Sequence, residues 1–172
     1  MQSERARVLG PSDGRAGLLG SMGVRFMLGA DETGGGFSLV EHPIPARALA
    51  APLHRHSRED EYSFVLEGRV GALLGDEVVY GDPGDLIFKP RGEWHTFWNA
   101  GDEPARILEM ISPAGFEHYF EEMVELLQKS AGSPDPRELG AIAARHGLEV
   151  ERDSIARLTE EHGLRWGPPA SE

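Results

Sequence analysis

The sequence contains no cysteine, which excludes disulfide bonds and thiolate metal ligands. It has no run of about 18 apolar residues, so it predicts no transmembrane helix. Basic side chains are scarce: 17 Lys and Arg stand against 29 Asp and Glu, for a formal net charge of −12. Because this charge repels nucleic acid and anionic membrane surfaces, we expect neither as a partner. The first residues also lack the apolar segment of a signal peptide, which predicts a cytoplasmic location.

Three zones of different composition follow one another along the chain. Residues 1–20 are rich in Gly, Ser and Arg without periodicity, and they predict a loose N-terminal arm. Residues 21–112 contain short apolar runs separated by turn residues such as Gly34–Gly36, a pattern typical of a β-sandwich or barrel. Residues 113–172 change to helical spacing. The sequence therefore predicts a mainly β domain over 21–112, followed by an α-helical C-terminal extension.

The extension carries the signals of three helices. Ser112 is the predicted cap of the first helix, and Pro113 occupies its first position. The second and third helices are predicted over residues 136–146 and 154–162. The apolar residues of the first helix share one face, so we expect this helix to dock on another part of the protein.

Three histidines and a glutamate have the spacing of a metal site. His54 and His56 are two positions apart on a predicted strand, so both imidazoles point to the same side. Glu61 begins the next apolar run, and His95 begins another run after a turn that contains proline and glycine. Three imidazoles and one carboxylate suit Fe, Mn, Ni, Cu or Zn and disfavour Mg or Ca.

The spacing of these residues resembles the two sequence motifs of the cupin superfamily. The first motif, G(X)5HXH(X)3–4E(X)6G, is matched at His54, His56, Glu61 and Gly68, while Ala48 stands where the leading glycine is expected. The second motif, G(X)5PXG(X)2H(X)3N, is matched at Gly84, Pro90, Gly92, His95 and Asn99. The resemblance implies a jelly-roll barrel (double-stranded β-helix) of two antiparallel sheets, with one divalent transition metal bound by His54, His56, Glu61 and His95.

The chain is further similar to small single-domain bacterial cupins labelled quercetin-dioxygenase-like. This likeness implies a metal-dependent oxygenase acting on a small enolic or aromatic molecule. Glu61 is then also a catalytic residue, because a carboxylate that leaves the metal can take a proton from a substrate hydroxyl. A cupin isomerase or decarboxylase, and a non-catalytic module that binds or senses a small ligand, are the alternatives. The resemblance also implies a homodimer.

Alternation along the strands predicts which other side chains face the metal. Counting from Glu61 places Ser63 and Val65 on the metal side. Counting along the strand of the second motif places Phe97 there and turns Trp98 away, towards packing between sheets or subunits. Phe97, Ser63 and Val65 are therefore the predicted pocket residues.

The remaining histidines fit no ligand pattern. His118, His146 and His162 are predicted to be structural or exposed. His42 is also predicted to be structural, although it is the one of the four that could face the pocket.

Overall fold

The computed structural model describes residues 6–168, which contain eleven β-strands and four α-helices. The strands are β1 (Ala16–Leu18), β2 (Gly23–Leu28), β3 (Ser38–Ile44), β4 (Leu53–His56), β5 (Asp60–Glu67), β6 (Val70–Leu74), β7 (Glu77–Gly81), β8 (Leu86–Lys89), β9 (His95–Asn99), β10 (Ala105–Ser112) and β11 (Leu148–Glu151). The helices are α1 (Ala30–Thr33), α2 (Glu117–Lys129), α3 (Pro136–Arg145) and α4 (Ser154–His162). None of these helices is both long and apolar enough to cross a bilayer.

The strands form two antiparallel sheets. The six-stranded sheet has the order β1-β2-β3-β10-β5-β8, and the five-stranded sheet has the order β11-β4-β9-β6-β7. Along β10 the residues alternate between buried and half-buried, as expected for a strand with one face towards a core. The sheets and the helices that follow them confirm the predicted mainly β jelly roll with a C-terminal helical extension.

The segment before β2 contributes to the six-stranded sheet. β1 lies within residues 1–20, and Ala16 pairs with Arg25 of β2. Gly17 lets α2 approach closely, since a Cβ atom at this position would lie 2.6 Å from a methyl carbon of Val124. Residues 16–18 therefore connect the edge of the barrel to the first long helix of the extension.

The predicted start of the first C-terminal helix is wrong. Ser112 is the last residue of β10 and pairs with Asp60 of β5. Its hydroxyl donates to the carbonyl of Gly36 at 2.9 Å and does not cap a helix. Pro113 lies in the turn that follows, and α2 begins at Glu117. The β10 ladder continues for longer than the apolar pattern indicated, because the hydrogen bonds to β3 and β5 hold its last residues extended.

The extension also contains a strand that the sequence analysis missed. β11 pairs with β4, so that Leu148 lies opposite His56 and Val150 lies opposite His54. The signal was present, since residues 148–151 read Leu-Glu-Val-Glu, an alternation typical of a half-buried strand. Consequently, the strand that carries two predicted ligands is covered on one side by the C-terminal extension.

The last helix packs on the outer side of the five-stranded sheet. Trp98 points away from the predicted metal side and stacks on His162 of α4, with ring centroids 4.4 Å apart. Its buried neighbours include Leu49 and Leu158. Trp98 thus attaches the end of the extension to the barrel.

Candidate metal centre

The four predicted ligands lie together inside the barrel. His54 and His56 come from β4, Glu61 from β5 and His95 from β9, and all four are buried. One nitrogen or oxygen atom from each residue lies within 4.8 Å of the others. The ladder between β4 and β9 places His54 directly opposite His95, whereas Glu61 belongs to the other sheet. The barrel therefore brings together residues that are up to 41 positions apart in the sequence.

Backbone carbonyls orient two of the imidazoles. His54 Nδ1 donates to the carbonyl of Pro52 at 2.7 Å, and His95 Nδ1 donates to that of Glu93 at 3.0 Å. Because a carbonyl only accepts, Nδ1 carries the hydrogen and Nε2 keeps its lone pair. Burial lowers the pKa of both histidines, which favours the neutral form that binds a metal.

His56 provides a test of whether a metal fits this cluster. Both of its ring nitrogens are buried, and neither has a hydrogen-bond partner in the part of the chain that the structure describes. Nε2 lies 3.4 Å from Glu61 Oε1, and Nδ1 lies 3.7 Å from Glu59 Oε2. Unpaired buried nitrogens are costly, and a metal ion would satisfy one of them. His54, His56, Glu61 and His95 thus fit one divalent transition metal, which they could bind.

A buried lysine lies beside the cluster. Lys89 Nζ is 2.9 Å from Glu61 Oε2, and it is 3.1 and 3.2 Å from the two carboxylate oxygens of Glu109. The hydroxyl of Ser63 donates to Glu109 Oε2 at 2.7 Å, and the ring centroid of Phe97 lies 4.6 Å from Nζ. The sequence analysis missed Lys89 and Glu109, although strand alternation places both side chains inside the barrel.

One lysine in this network faces two carboxylates. Burial alone would raise the pKa of Glu61, but the charge of Lys89 and the contacts with His56 and His95 hold it well below its usual range. Burial raises the pKa of Glu109 to about 7, against the opposing charge of Lys89. Lys89 therefore neutralises Glu61, and Glu109 binds a proton near neutral pH.

Glu109→Gln should remove part of the pH dependence of stability. The pKa of Glu109 is raised from 4.5 to about 7 in the folded protein, so its contribution to stability is full below pH 4.5 and is lost as the pH rises through 7. At about 1.4 kcal/mol per pKa unit, the change is about 3 kcal/mol. Urea unfolding from pH 5 to pH 8 should show the parent losing stability relative to the variant. A difference that stays constant with pH would contradict this assignment.

An apolar cavity of about 340 Å³ opens beside the cluster. His54, Glu61 and Glu109 line it from the barrel, and its volume is within the usual range for small-molecule sites. The C-terminal extension supplies much of the remaining wall. Its lining residues include Phe116, Tyr119, Phe120, Met123, Leu139 and Val150.

The three predicted pocket residues occupy different depths. Phe97 lines the cavity. Ser63 and Val65 do not: Ser63 is bonded to Glu109, and Val65 is fully buried in the apolar core of the barrel. Alternation along a strand predicts only the side of the sheet and carries no information about the distance from the opening.

His42 on β3 lines the cavity from the six-stranded sheet. Its Nδ1 donates to the carbonyl of Gly23 at 2.8 Å, and within residues 6–168 its Nε2 has no hydrogen-bond partner. The ring is almost fully buried, with its edge towards Phe120, and burial lowers its pKa to about 4. His42 is therefore neutral at pH 7 and offers a free lone pair on the cavity wall.

Residues 41–111 match the family model described as the cupin domain. This region is similar to the cupin domain, and the two antiparallel sheets have the cupin fold. The matched region contains the four candidate ligands together with Lys89 and Glu109, whereas α2, α3, β11 and α4 lie beyond it.

Proteins similar to this chain include one named as a polyketide synthase protein and one named as a polyketide cyclase. The tetracenomycin polyketide synthase protein TcmJ of Streptomyces glaucescens is 28% identical over 89 residues, which are 52% of this chain and 60% of TcmJ. The chain thus spans less than two thirds of that curated relative. The polyketide cyclase RemF of Streptomyces resistomycificus is 26% identical with a TM-score of 0.55, over 63% of this chain and 80% of RemF. KdgF from Halomonas sp. is 17% identical with a TM-score of 0.51, over 57% and 84% of the two chains, and shows the shared fold alone.

Proposed function

We propose that this chain is a metal-dependent enzyme that cyclises a small enolic, aromatic or polyketide-like molecule without net oxidation. The observation that carries the proposal is the buried His54, His56, Glu61 and His95 cluster, which opens onto a largely apolar cavity. The similarity to RemF, which is described as a polyketide cyclase, favours cyclisation over other cupin reactions.

The metal and the residues around the cavity would have different roles in the reaction. When bound, a divalent metal supplies Lewis acidity that polarises a substrate carbonyl. Lys89 holds Glu61 in place through its 2.9 Å contact with Oε2. Phe116 and Phe120 cover the cavity from α2 and its N-terminal turn, which excludes water from the reacting groups.

We further propose that His42, rather than Glu61, accepts the substrate proton. Glu61 Oε2 already contacts Lys89 and His95, and Oε1 faces His56 at 3.4 Å. His42 lines the same cavity, and none of the described residues forms a hydrogen bond with its Nε2. Proton transfer to Nε2 would leave the hydrogen bond from Nδ1 to Gly23 intact, so the imidazolium would stay oriented.

Replacing His42 with glutamine should slow the reaction by about 100-fold, at the low end for general base catalysis because its pKa of about 4 is far from neutral. Metal content should not change, since His42 is not one of the clustered ligands. Initial rates and elemental analysis check both points. His118→Gln is a matched control on the exposed surface of α2. A change below threefold, or a loss of metal, would contradict the assigned role.

A small probe can test cyclisation directly. In a 1-(2-hydroxyphenyl)-1,3-diketone, attack of the phenol oxygen on the distant carbonyl carbon closes a ring and releases one water. The metal-loaded protein should accelerate this dehydration, measured by mass spectrometry, without consuming O₂. His95→Ala serves as the inactive control.

The same assay separates the alternatives. O₂ uptake with a flavonol such as quercetin would support the quercetin-dioxygenase-like oxygenase in place of a cyclase. Release of CO₂, or an isomer of unchanged mass, would support a decarboxylase or an isomerase. Ligand binding without any turnover would contradict the enzyme and favour a binding or sensing module.

We also propose that two copies of the chain pair through the outer face of β5 and β8. Phe64, Leu86 and Phe88 are 39%, 58% and 47% exposed there, and β8 is an edge strand of the six-stranded sheet. Phe88 stacks on Tyr62 at 5.0 Å, which makes this apolar surface continuous across both strands. A two-fold axis would cover the same patch on both copies and protect the edge strand.

Leu86→Glu should therefore convert a dimer into a monomer in analytical ultracentrifugation, because it places a charge within the apolar contact. Val8→Glu alters an exposed apolar residue elsewhere and should leave the dimer intact. A monomeric parent, or a dimeric Leu86→Glu variant, would contradict pairing through this face.

A further inference from the structure

The opening of the cavity carries a cation that has no acidic partner within residues 6–168. Arg152 is exposed and also lines the cavity, so it lies where the cavity meets solvent. Its sequence neighbours Glu151 and Asp153 are both acidic, yet in the part of the chain that the structure describes no carboxylate forms an ion pair with its guanidinium. Trp166 lies at the same opening and is 42% exposed.

Other arginines near the metal-binding segment are already engaged. Arg55 forms an ion pair with Glu149 at 2.8 Å, and Arg91 forms one with Asp60 at 2.8 Å. In a chain with 29 acidic and 17 basic residues, an arginine at a cavity opening can readily be neutralised by an acidic neighbour. Arg152 differs from these arginines, because none of the described carboxylates pairs with it. Its guanidinium is therefore available to a ligand.

Tyr119 adds a second donor to the same cavity. It lines the same cavity, and its hydroxyl has no hydrogen-bond partner among the described residues. Burial raises the pKa of Tyr119 to about 12, against the opposing charge of Arg152, and both side chains line the same cavity. The phenol stays protonated at neutral pH, so it can donate a hydrogen bond to an anion beside the guanidinium.

The spacing along β11 relates this opening to the metal cluster. Val150 pairs with His54, and Arg152 follows two residues later. Arg152 lies in the turn that directly follows β11, and His54, Val150 and Arg152 line the same cavity. With a volume of about 340 Å³ and largely apolar walls, this cavity suits a flat molecule of two or three fused rings.

We propose that Arg152 and Tyr119 form an anion subsite, and that the cavity binds a polycyclic aromatic hydroxy acid with its carboxylate at this opening. The inference rests on the proposed function, because the hydroxy-ketone end of the same molecule would lie at the metal cluster. It specifies the substrate class further: an acid rather than a neutral polyphenol.

Two anthraquinones separate the contribution of the carboxylate end from that of the hydroxy-ketone end. 4,5-Dihydroxyanthraquinone-2-carboxylic acid and 1,8-dihydroxyanthraquinone share the same chelating hydroxy-ketone groups and differ only in the carboxylate. Each is titrated against the zinc-loaded full chain, with binding followed by quenching of tryptophan fluorescence and by calorimetry. We expect the acid to bind about tenfold more tightly, a modest value because the arginine is exposed.

Three variants test which side chains cause the preference for the acid over the neutral probe. Arg152→Gln should abolish the preference for the acid and leave the affinity of the neutral probe unchanged. Tyr119→Phe should reduce the preference about threefold, as expected for one lost hydrogen bond at a partly solvated site. Arg157→Gln removes the same charge from α4, where Arg157 pairs with Glu161, and should keep the full preference.

The outcomes distinguish the subsite from the function on which it rests. If both probes bind the parent equally, or if Arg152→Gln and Arg157→Gln weaken the acid to the same extent, the anion subsite is wrong and the metal-ligand cavity stands. If neither probe binds the zinc-loaded parent, the proposed substrate class and the subsite both fail.

Discussion

His95→Ala should lower the affinity of the chain for its metal by at least about 100-fold, more than the loss usual for a residue that only supports a ligand. The structure gives the reason, since His95 Nε2 belongs to the buried four-residue cluster and is oriented through Nδ1 by the carbonyl of Glu93. Elemental analysis of protein purified without a metal-affinity tag should find near-stoichiometric metal in the parent and little in the variant.

His118→Ala is the matched control, because it removes an exposed imidazole outside the cluster. Its metal content should equal that of the parent. Equal metal in His95→Ala would contradict the ligand assignment. A parent that holds no metal, even after reconstitution with Fe, Mn, Ni, Cu and Zn in turn, would contradict the metal centre itself.

Lys89→Met should lower the free energy of unfolding by about 3–5 kcal/mol, the usual cost of removing one partner from a buried charge network. Methionine has a similar length and fits an apolar site, so the loss would come from charge rather than from volume. Without the lysine, Glu61 and Glu109 would face each other in the barrel with no cation between them. Urea unfolding at pH 8 with a chelator present keeps a bound metal from compensating the carboxylates.

Lys129→Met provides the comparison, because it removes the other lysine of the chain. Lys129 is exposed at the end of α2, 3.7 Å from Glu125, and its loss should cost less than about 0.5 kcal/mol. The loss in Lys89→Met should also shrink towards pH 5, as Glu109 binds a proton. Equal effects of the two substitutions would show that Lys89 does not compensate the buried carboxylates.

The candidate ligands could be predicted because their positions depend on local spacing. Strand alternation brings His54 and His56 to one side, and the resemblance to the two cupin motifs supplies Glu61 and His95. Both kinds of information are contained in short stretches of sequence, and the barrel converts them into one cluster. The jelly roll was predictable for the same reason, since short strands and turns are encoded locally.

Lys89 and Glu109 could not be predicted as easily, because charged side chains are rarely fully buried without a partner. Lys89 lies on β8 and Glu109 on β10, and both strands pair with β5. A single sequence does not show that these three strands are neighbours. The cavity posed a similar problem, because much of its wall comes from the packing of α2 and β11 on the barrel, which a single sequence does not show.

The candidate metal ligands and the proposed anion subsite lie in different segments of the chain, which the pairing of β11 with β4 brings together. The four candidate ligands lie between residues 54 and 95, whereas Tyr119 and Arg152 come from a later segment. Under the proposed function, exchange of residues 113–168 between related chains would produce chimeras that keep one metal centre and differ in the acids they accept. The substrate range could then diverge by mutation without passing through variants that have lost their metal.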